Sequence, residues 1–230
     1  MVCVGVKIIE ERIVEAYVGE YASGKSENAV NRALELVRSG RQVNLVDLDL
    51  VEPFYTLRPI KQELTNMGLK VIAWETGETM GLGEAGSIIK PEMRWALQRP
   101  GDVILDIGYG VEGAKTLNLV EGAAQNPDLK VFAVVNVYRP MTSTINEIIS
   151  YVSELGLVHG LINNSHLGDE TQIKDIEEGA RIVTEAAKEL RLPVVATAVD
   201  IKLKKEFSTG HDCMGNPVRF LTRFMQNTFW

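Results

Sequence analysis

Gly19-Glu20-Tyr21-Ala22-Ser23-Gly24-Lys25-Ser26 fills every fixed position of the pattern G-x-x-x-x-G-K-[ST]. The run before it, residues 12–21, reads as a strand entering a glycine turn. Residues 25–39 read as a helix, with Ala29, Val30, Ala33, Leu34 and Val37 at three-to-four spacing and Gly40 as its stop. Gly19 and Gly24 let the backbone wrap tightly and aim its N–H groups inward. The helix N-terminus adds the positive end of its dipole. Lys25 is expected to reach the outer phosphates of a nucleotide, and Ser26 to offer a hydroxyl to Mg2+, which needs few protein ligands. The expected phosphate cradle is therefore Gly19, Glu20, Tyr21, Ala22, Ser23, Gly24, Lys25, Ser26 and Glu27.

Outward from this loop, short β-branched runs alternate with helical patterns. Strands are expected at 43–48, 69–74, 102–107, 129–135, 158–163 and 193–198. Helices are expected at 88–98, with Pro91 in its first turn, and at 114–124, 144–155 and 171–190. A terminal helix is expected at about 216–229, with Asn216 as N-cap and Pro217 at the first position. Strands nearly continuous in apolar residues are buried on both faces, as in a parallel sheet between helices. The expectation is an α/β fold, a single doubly wound and mostly parallel sheet, with residues 1–230 as one domain. Ligands of such sheets bind outside the carboxyl ends of the strands.

The acidic residues obey that rule. Asp47 and Asp49 end the run VNLVDLDL, and Asp106 ends VILDIGYG. An aspartate after an apolar strand is what a Mg2+ site beside a phosphate loop needs. Ser26, Asp49 and Asp106 form the expected metal set, and Lys25, Asp49 and Asp106 the expected catalytic set, with Asp49 near the attacking water. Gly108 and Gly110 then permit a segment that senses the outermost phosphate. No Asn-Lys-x-Asp guanine-reading segment occurs, so ATP is expected over GTP, with Asn163 or Asn164 facing the base.

The chain has 230 residues, 45% hydrophobic and 24% charged, which excludes a disordered, collagen-like or disulfide-dense protein. No apolar run reaches the length of a membrane span. The early charges of the N-terminus do not fit a signal peptide, and the two cysteines, Cys3 and Cys213, stand far apart, so a reduced, cytoplasmic setting is expected. A net charge of −7 argues against a broad nucleic-acid surface.

The loop GEYASGKS, the strand ends LVDLDLVEP and VILDIG, and the later VVNVYRP and GLINNSHLG resemble the MinD/ParA/CobQ-type P-loop ATPases of the SIMIBI class. The run DLDLVEPFYTLRP looks most like the CobQ/MinD-like bacterial and archaeal nucleotide-binding proteins. The resemblance implies Mg-ATP binding through Lys25 and Ser26, with Asp49 in a first switch and Asp106 ahead of a second. It also implies an adenine-facing Asn163 or Asn164, a nucleotide-dependent homodimer, and ATP turnover coupled to a protein partner in metalloprotein maturation, positioning or partitioning. One position departs: where MinD and ParA members carry a second lysine early in the loop, this chain has Glu20. The alternative is a metabolic enzyme in which ATP activates a carboxylate, CobQ- or dethiobiotin-synthetase-like.

Weaker features are expected to be structural. His211 and Cys213 lack enough partners for zinc. His166 could line the base pocket but reads first as a surface turn; Arg58 and Arg139 could contact phosphate or a dimer partner, with a solvated surface arginine as the default. The terminal helix, with Val218, Phe220, Leu221 and Phe224 on one face, is expected to pack on protein rather than on a membrane.

Overall fold

The computed structural model describes residues 11–50, 57–74 and 89–225. Every residue of β1 (Val14–Gly19), β2 (Val43–Leu48) and β4 (Asp102–Ile107) is buried. That is the burial expected of strands covered on both faces. Around them lie β3 (Lys70–Ile72), β5 (Leu129–Val135), β6 (Gly160–Asn163), β7 (Val194–Asp200) and β8 (Val218–Leu221). The order across the sheet is β3-β2-β4-β1-β5-β6-β7-β8. All pairings among these strands are parallel, so their carboxyl ends line one edge.

Alternating residues feed two cores. Ala16, Val18, Leu105 and Ala133 face one side and pack with Ile148 and Val152 of α5 (Ile145–Glu154) and Val183 of α6 (Ile173–Leu190). Tyr17, Leu45, Ile104 and Val134 face the other, against Val30, Ala33 and Leu34 of α1 (Lys25–Arg38) and Leu64 of α2 (Lys61–Asn66). Helix α5 starts at Thr144, whose hydroxyl accepts from Glu147 N while the Glu147 carboxylate accepts from Thr144 N. Two expected helices are shorter. Residues 89–98 hold α3 (Pro91–Arg94), with proline in the first turn as expected, and then one 3-10 turn, Ala96–Gln98. The 114–124 segment is not one helix. Helix α4 (Gly110–Ala114) precedes it, two 3-10 turns follow, and Gly122 at φ 82° breaks the run.

The terminal helix expected at 216–229 is a misreading. Residues 218–221 form β8, paired with β7 from Thr197↔Val218 to Asp200↔Leu221, and residues 226–229 lie outside the described region. Val-Arg-Phe-Leu also fits a period of two. Val218 and Phe220 pack with Val199 and Phe207, whereas Leu221 joins the α1 side and Arg219 faces Glu35 there. Asn216 does not cap a helix: its N and Nδ2 both donate to the Asp212 carboxylate. Among the described residues, no helix is long and apolar enough to cross a membrane.

Candidate functional site

The site grows from the turn between β1 and α1. Gly19 lies close under β5: a Cβ there would meet Val134 O at 2.5 Å. Gly24, at φ +85°, takes a left-handed conformation, and a Cβ would meet Asn164 Nδ2 at 2.1 Å. Both glycines are therefore required by geometry. Ser23 N donates to Glu20 O at 3.1 Å, and Asn28 Nδ2 reaches back to Gly24 O at 3.0 Å. Lys25 is the first residue of α1 and is buried, with its ammonium 6.0 Å from the Tyr109 ring centre. Tyr109 in turn meets Tyr21 edge to face at 5.4 Å. The loop residue Tyr21 and the segment after β4 therefore touch directly.

The acidic residues gather where the register puts them. Asp47 and Asp106 are direct partners across β2 and β4, and Asp49 N donates to Asp47 Oδ1 at 3.0 Å. Asp106 is fully buried, and neither of its carboxylate oxygens makes a hydrogen bond of normal geometry. Burial, then the Asp47 charge, pushes its carboxyl up to about 8, while Lys25 and the Ser26 hydroxyl pull the other way. Such a carboxylate is short of positive charge. Among the described residues no three His, Cys, Asp or Glu side chains are grouped to hold a metal by themselves. Mg2+ takes one or two carboxylates and completes its shell with phosphate oxygens and water. Ser26 and Asp106 fit that role.

Two arginines and a histidine correct the sequence expectations. Arg58 is not solvated: it is buried, its Nε 3.9 Å from Asp47 Oδ2, and burial lowers its affinity for its proton while Asp47 and Asp49 raise it. Arg139 is partly buried and donates from Nε to Ala22 O at 3.2 Å, on the phosphate loop itself. His166 is not a surface turn residue. It lines a pocket bounded by Gly24 of the loop, Glu27 of α1, Asn164 after β6, and Asp200 at the end of β7. Burial, with Arg139 and Arg223 nearby, holds its ring neutral, at about 4. Gly168 N donates to His166 Nδ1, so the ring proton sits on Nε2.

The two asparagines part ways, as neighbours at a strand end must. Asn163 turns into the body. Its amide donates to Thr197 Oγ1 at 3.3 Å and its carbonyl accepts from Ser165 Oγ at 2.6 Å, so the expectation that it faces a base fails on geometry. Asn164 lines the pocket, with Nδ2 donating to Ser23 O at 2.7 Å. Glu27 does not point at the phosphate loop. Its carboxylate accepts from Phe224 N and Met225 N, at 2.9 and 2.7 Å, and burial raises its pKa against those bonds. Asn31 fixes the same segment with bonds to Thr222 N and O at 2.8 and 2.9 Å, and Arg223, which lines the pocket, pairs with Asp169. The C-terminal segment is thus a pocket wall. Sequence reading placed it on a helix and had no signal for this role.

A parallel sheet, a glycine loop opening a helix and acidic strand ends at one edge describe a known architecture. The fold is that of a P-loop nucleotide-binding protein. Solved structures agree. The cell division protein FtsY from Thermotoga maritima matches with a TM-score of 0.58 at 20% identity, over 83% of this chain and 63% of that one. A nucleotide-binding protein in complex with ADP from Archaeoglobus fulgidus matches with a TM-score of 0.52 at 16% identity, over 84% of both chains. FlhF complexed with GTP and Mg2+ matches with a TM-score of 0.51 at 14% identity, over 80% of this chain and 64% of that one. This chain spans about three fifths of the length of the FtsY structures it matches. These likenesses show the fold alone and single out no branch of P-loop proteins. No protein-family model and no curated protein matches the chain.

Proposed function

We propose that the protein is a switch that binds Mg-ATP, hydrolyses it, and passes the change to a protein partner as a nucleotide-dependent homodimer. One observation carries this reading: Asp106 stands at the phosphate loop fully buried, with neither oxygen in a hydrogen bond of normal geometry, beside Lys25 and Ser26. A buried carboxylate in that state is costly unless a cation completes it. Lys25 holds the outer phosphates, Ser26 and Asp106 hold the metal, and Asp49 orients the attacking water. Bound Mg2+ would neutralise charge on the phosphates as the bond to the leaving group breaks. Tyr21 against Tyr109 offers a path by which phosphate occupancy reaches the segment after Asp106. The partner is of the maturation, positioning or partitioning type that the sequence resemblance implies. Asp49→Ala is expected to lower single-turnover phosphate release about 10²-fold, with nucleotide affinity changed far less. Unchanged turnover in that variant removes Asp49 from the mechanism.

ATP is favoured because the guanine-reading segment is missing and Asn164 stands at the pocket wall with its carbonyl oxygen available to adenine's amine. A second reading has its own observation. Asp200 lines the same pocket, and a carboxylate there matches the N1–H and N2–H2 donors of guanine. Competition against a fluorescent ATP analogue separates the two. ATP is expected to displace the analogue at a lower concentration than GTP. Displacement by GTP at an equal or lower concentration makes Asp200 the base reader and the nucleotide GTP.

A further inference from the structure

Arg139 is a partly buried cation without a counter-ion among the described residues. Other arginines held against the body rest on carboxylates: Arg32 on Glu15, Arg41 on Asp102, Arg223 on Asp169. Arg139 makes no ion pair with any described residue, and its single side-chain hydrogen bond among them is Nε to Ala22 O. Its position is not accidental. The turn after β5 is locked by Arg139 N to Asn136 O at 3.1 Å, Thr142 N to Arg139 O at 3.1 Å, and Thr142 Oγ1 to Asn136 O at 2.8 Å. Asn136 in turn ties this turn to His166 through Nδ2 to His166 O at 3.2 Å. The guanidinium thus sits against the phosphate loop at Ala22, on a turn that is tied to the pocket residue His166.

Ala22 and Gly24 line that pocket and Lys25 follows them, so phosphates held by the loop would lie beside the residue that Arg139 touches. The tether uses only Nε, which leaves the Nη groups as donors. Arginine's planar fork suits phosphate oxygens, and a desolvated cation recovers its cost only against an anion. The loop itself has Glu20 where the resembled ATPases carry a second lysine, so Lys25 is the one cationic side chain of residues 19–26.

We propose that Arg139 binds the phosphate chain of the nucleotide held by its own chain and supplies the second cation of the site. The proposal rests on the reading that residues 19–26 hold a nucleotide. The test titrates a fluorescent ATP analogue with Mg2+ into the full chain and its Arg139→Ala, Arg139→Gln and Arg139→Lys variants, with Lys25→Ala beside them. Glutamine can keep the hydrogen bond to Ala22 O but not the charge. Alanine and glutamine are both expected to weaken binding about ten- to a hundredfold, with lysine restoring part of it, at unchanged thermal midpoints. The loss is expected to shrink at high salt and to be independent of protein concentration. Wild-type affinity in Arg139→Gln reduces the residue to a clasp on the loop and overturns the proposal. An effect that appears only at high protein concentration overturns its same-chain assignment. If Lys25→Ala weakens binding and the Arg139 variants do not change it, the proposal fails and the nucleotide site stands. If the wild type binds no nucleotide, both fail.

Discussion

Lys25→Ala is expected to weaken Mg-ATP binding about 10²- to 10³-fold. The ammonium is buried at the first position of α1 and is held by the loop that Gly19 and Gly24 shape. Two charge-assisted bonds to phosphate oxygens, each worth about 1.5–3 kcal/mol, account for a loss of that size. The loop's backbone donors and the helix end remain, so some binding survives. Lysine is also the cation nearest in effect to Asp106, so its removal is expected to destabilise the folded protein as well. Calorimetric titration with a parallel thermal melt separates the two effects. Lys25→Arg is not expected to restore affinity, because a planar guanidinium does not fit where a compact ammonium is enclosed. Equal ATP affinity in wild type and Lys25→Ala would falsify the assignment of the loop.

Asp106→Asn is expected to give opposite results for stability and for activity. Without ligand, the wild type confines a carboxylate beside Asp47, with neither oxygen in a hydrogen bond of normal geometry. The folded chain holds that proton up to about pH 8, against about 3.8 for the free side chain. The folded state therefore binds more protons than the unfolded state between those values. Stability contributed by this group is complete below the lower value and is lost as pH rises through the upper one. Asparagine has no such proton. At pH 8.5 the variant is expected to be more stable than wild type by on the order of 2–4 kcal/mol, about 5–10 °C in melting midpoint, with the difference shrinking towards pH 5. Mg-dependent turnover is expected to fall about 10²-fold or more, since the amide cannot serve the metal as a carboxylate does. Urea melts at two pH values and a phosphate-release assay check both halves. A variant less stable than wild type at pH 8.5 would show that Asp106 serves the core and not a ligand.

The parts legible in the sequence were those set by local rules. Strands β2, β4 and β5 match their expected bounds, because continuous β-branched and aliphatic runs have few other uses in so short a span. Lys25 opens α1 as the glycine-lysine-serine motif requires. What failed depends on neighbours distant in sequence. Val-Arg-Phe-Leu at 218–221 suits a helix or a strand, and only the open edge of β7 decides for a strand. Between Asn163 and Asn164 the outcome is a matter of strand parity, which places the first in the body and the second at the loop. Arg58 and Arg139 read as surface residues because nothing local shows that Asp47 or Ala22 O will stand beside them. Asp47 was visible as a strand end, but its pairing with Asp106 follows from the β2–β4 register.

The central claim is that residues 19–26, with Ser26 and Asp106, hold the phosphates of a metal-bound nucleotide. Titration of the full wild-type chain with a non-hydrolysable ATP analogue, with Mg2+ and with a chelator, tests it most directly. The account predicts one nucleotide bound per chain, with affinity at least about tenfold higher when Mg2+ is present. Absence of binding, or binding of equal strength with and without the metal, would contradict it.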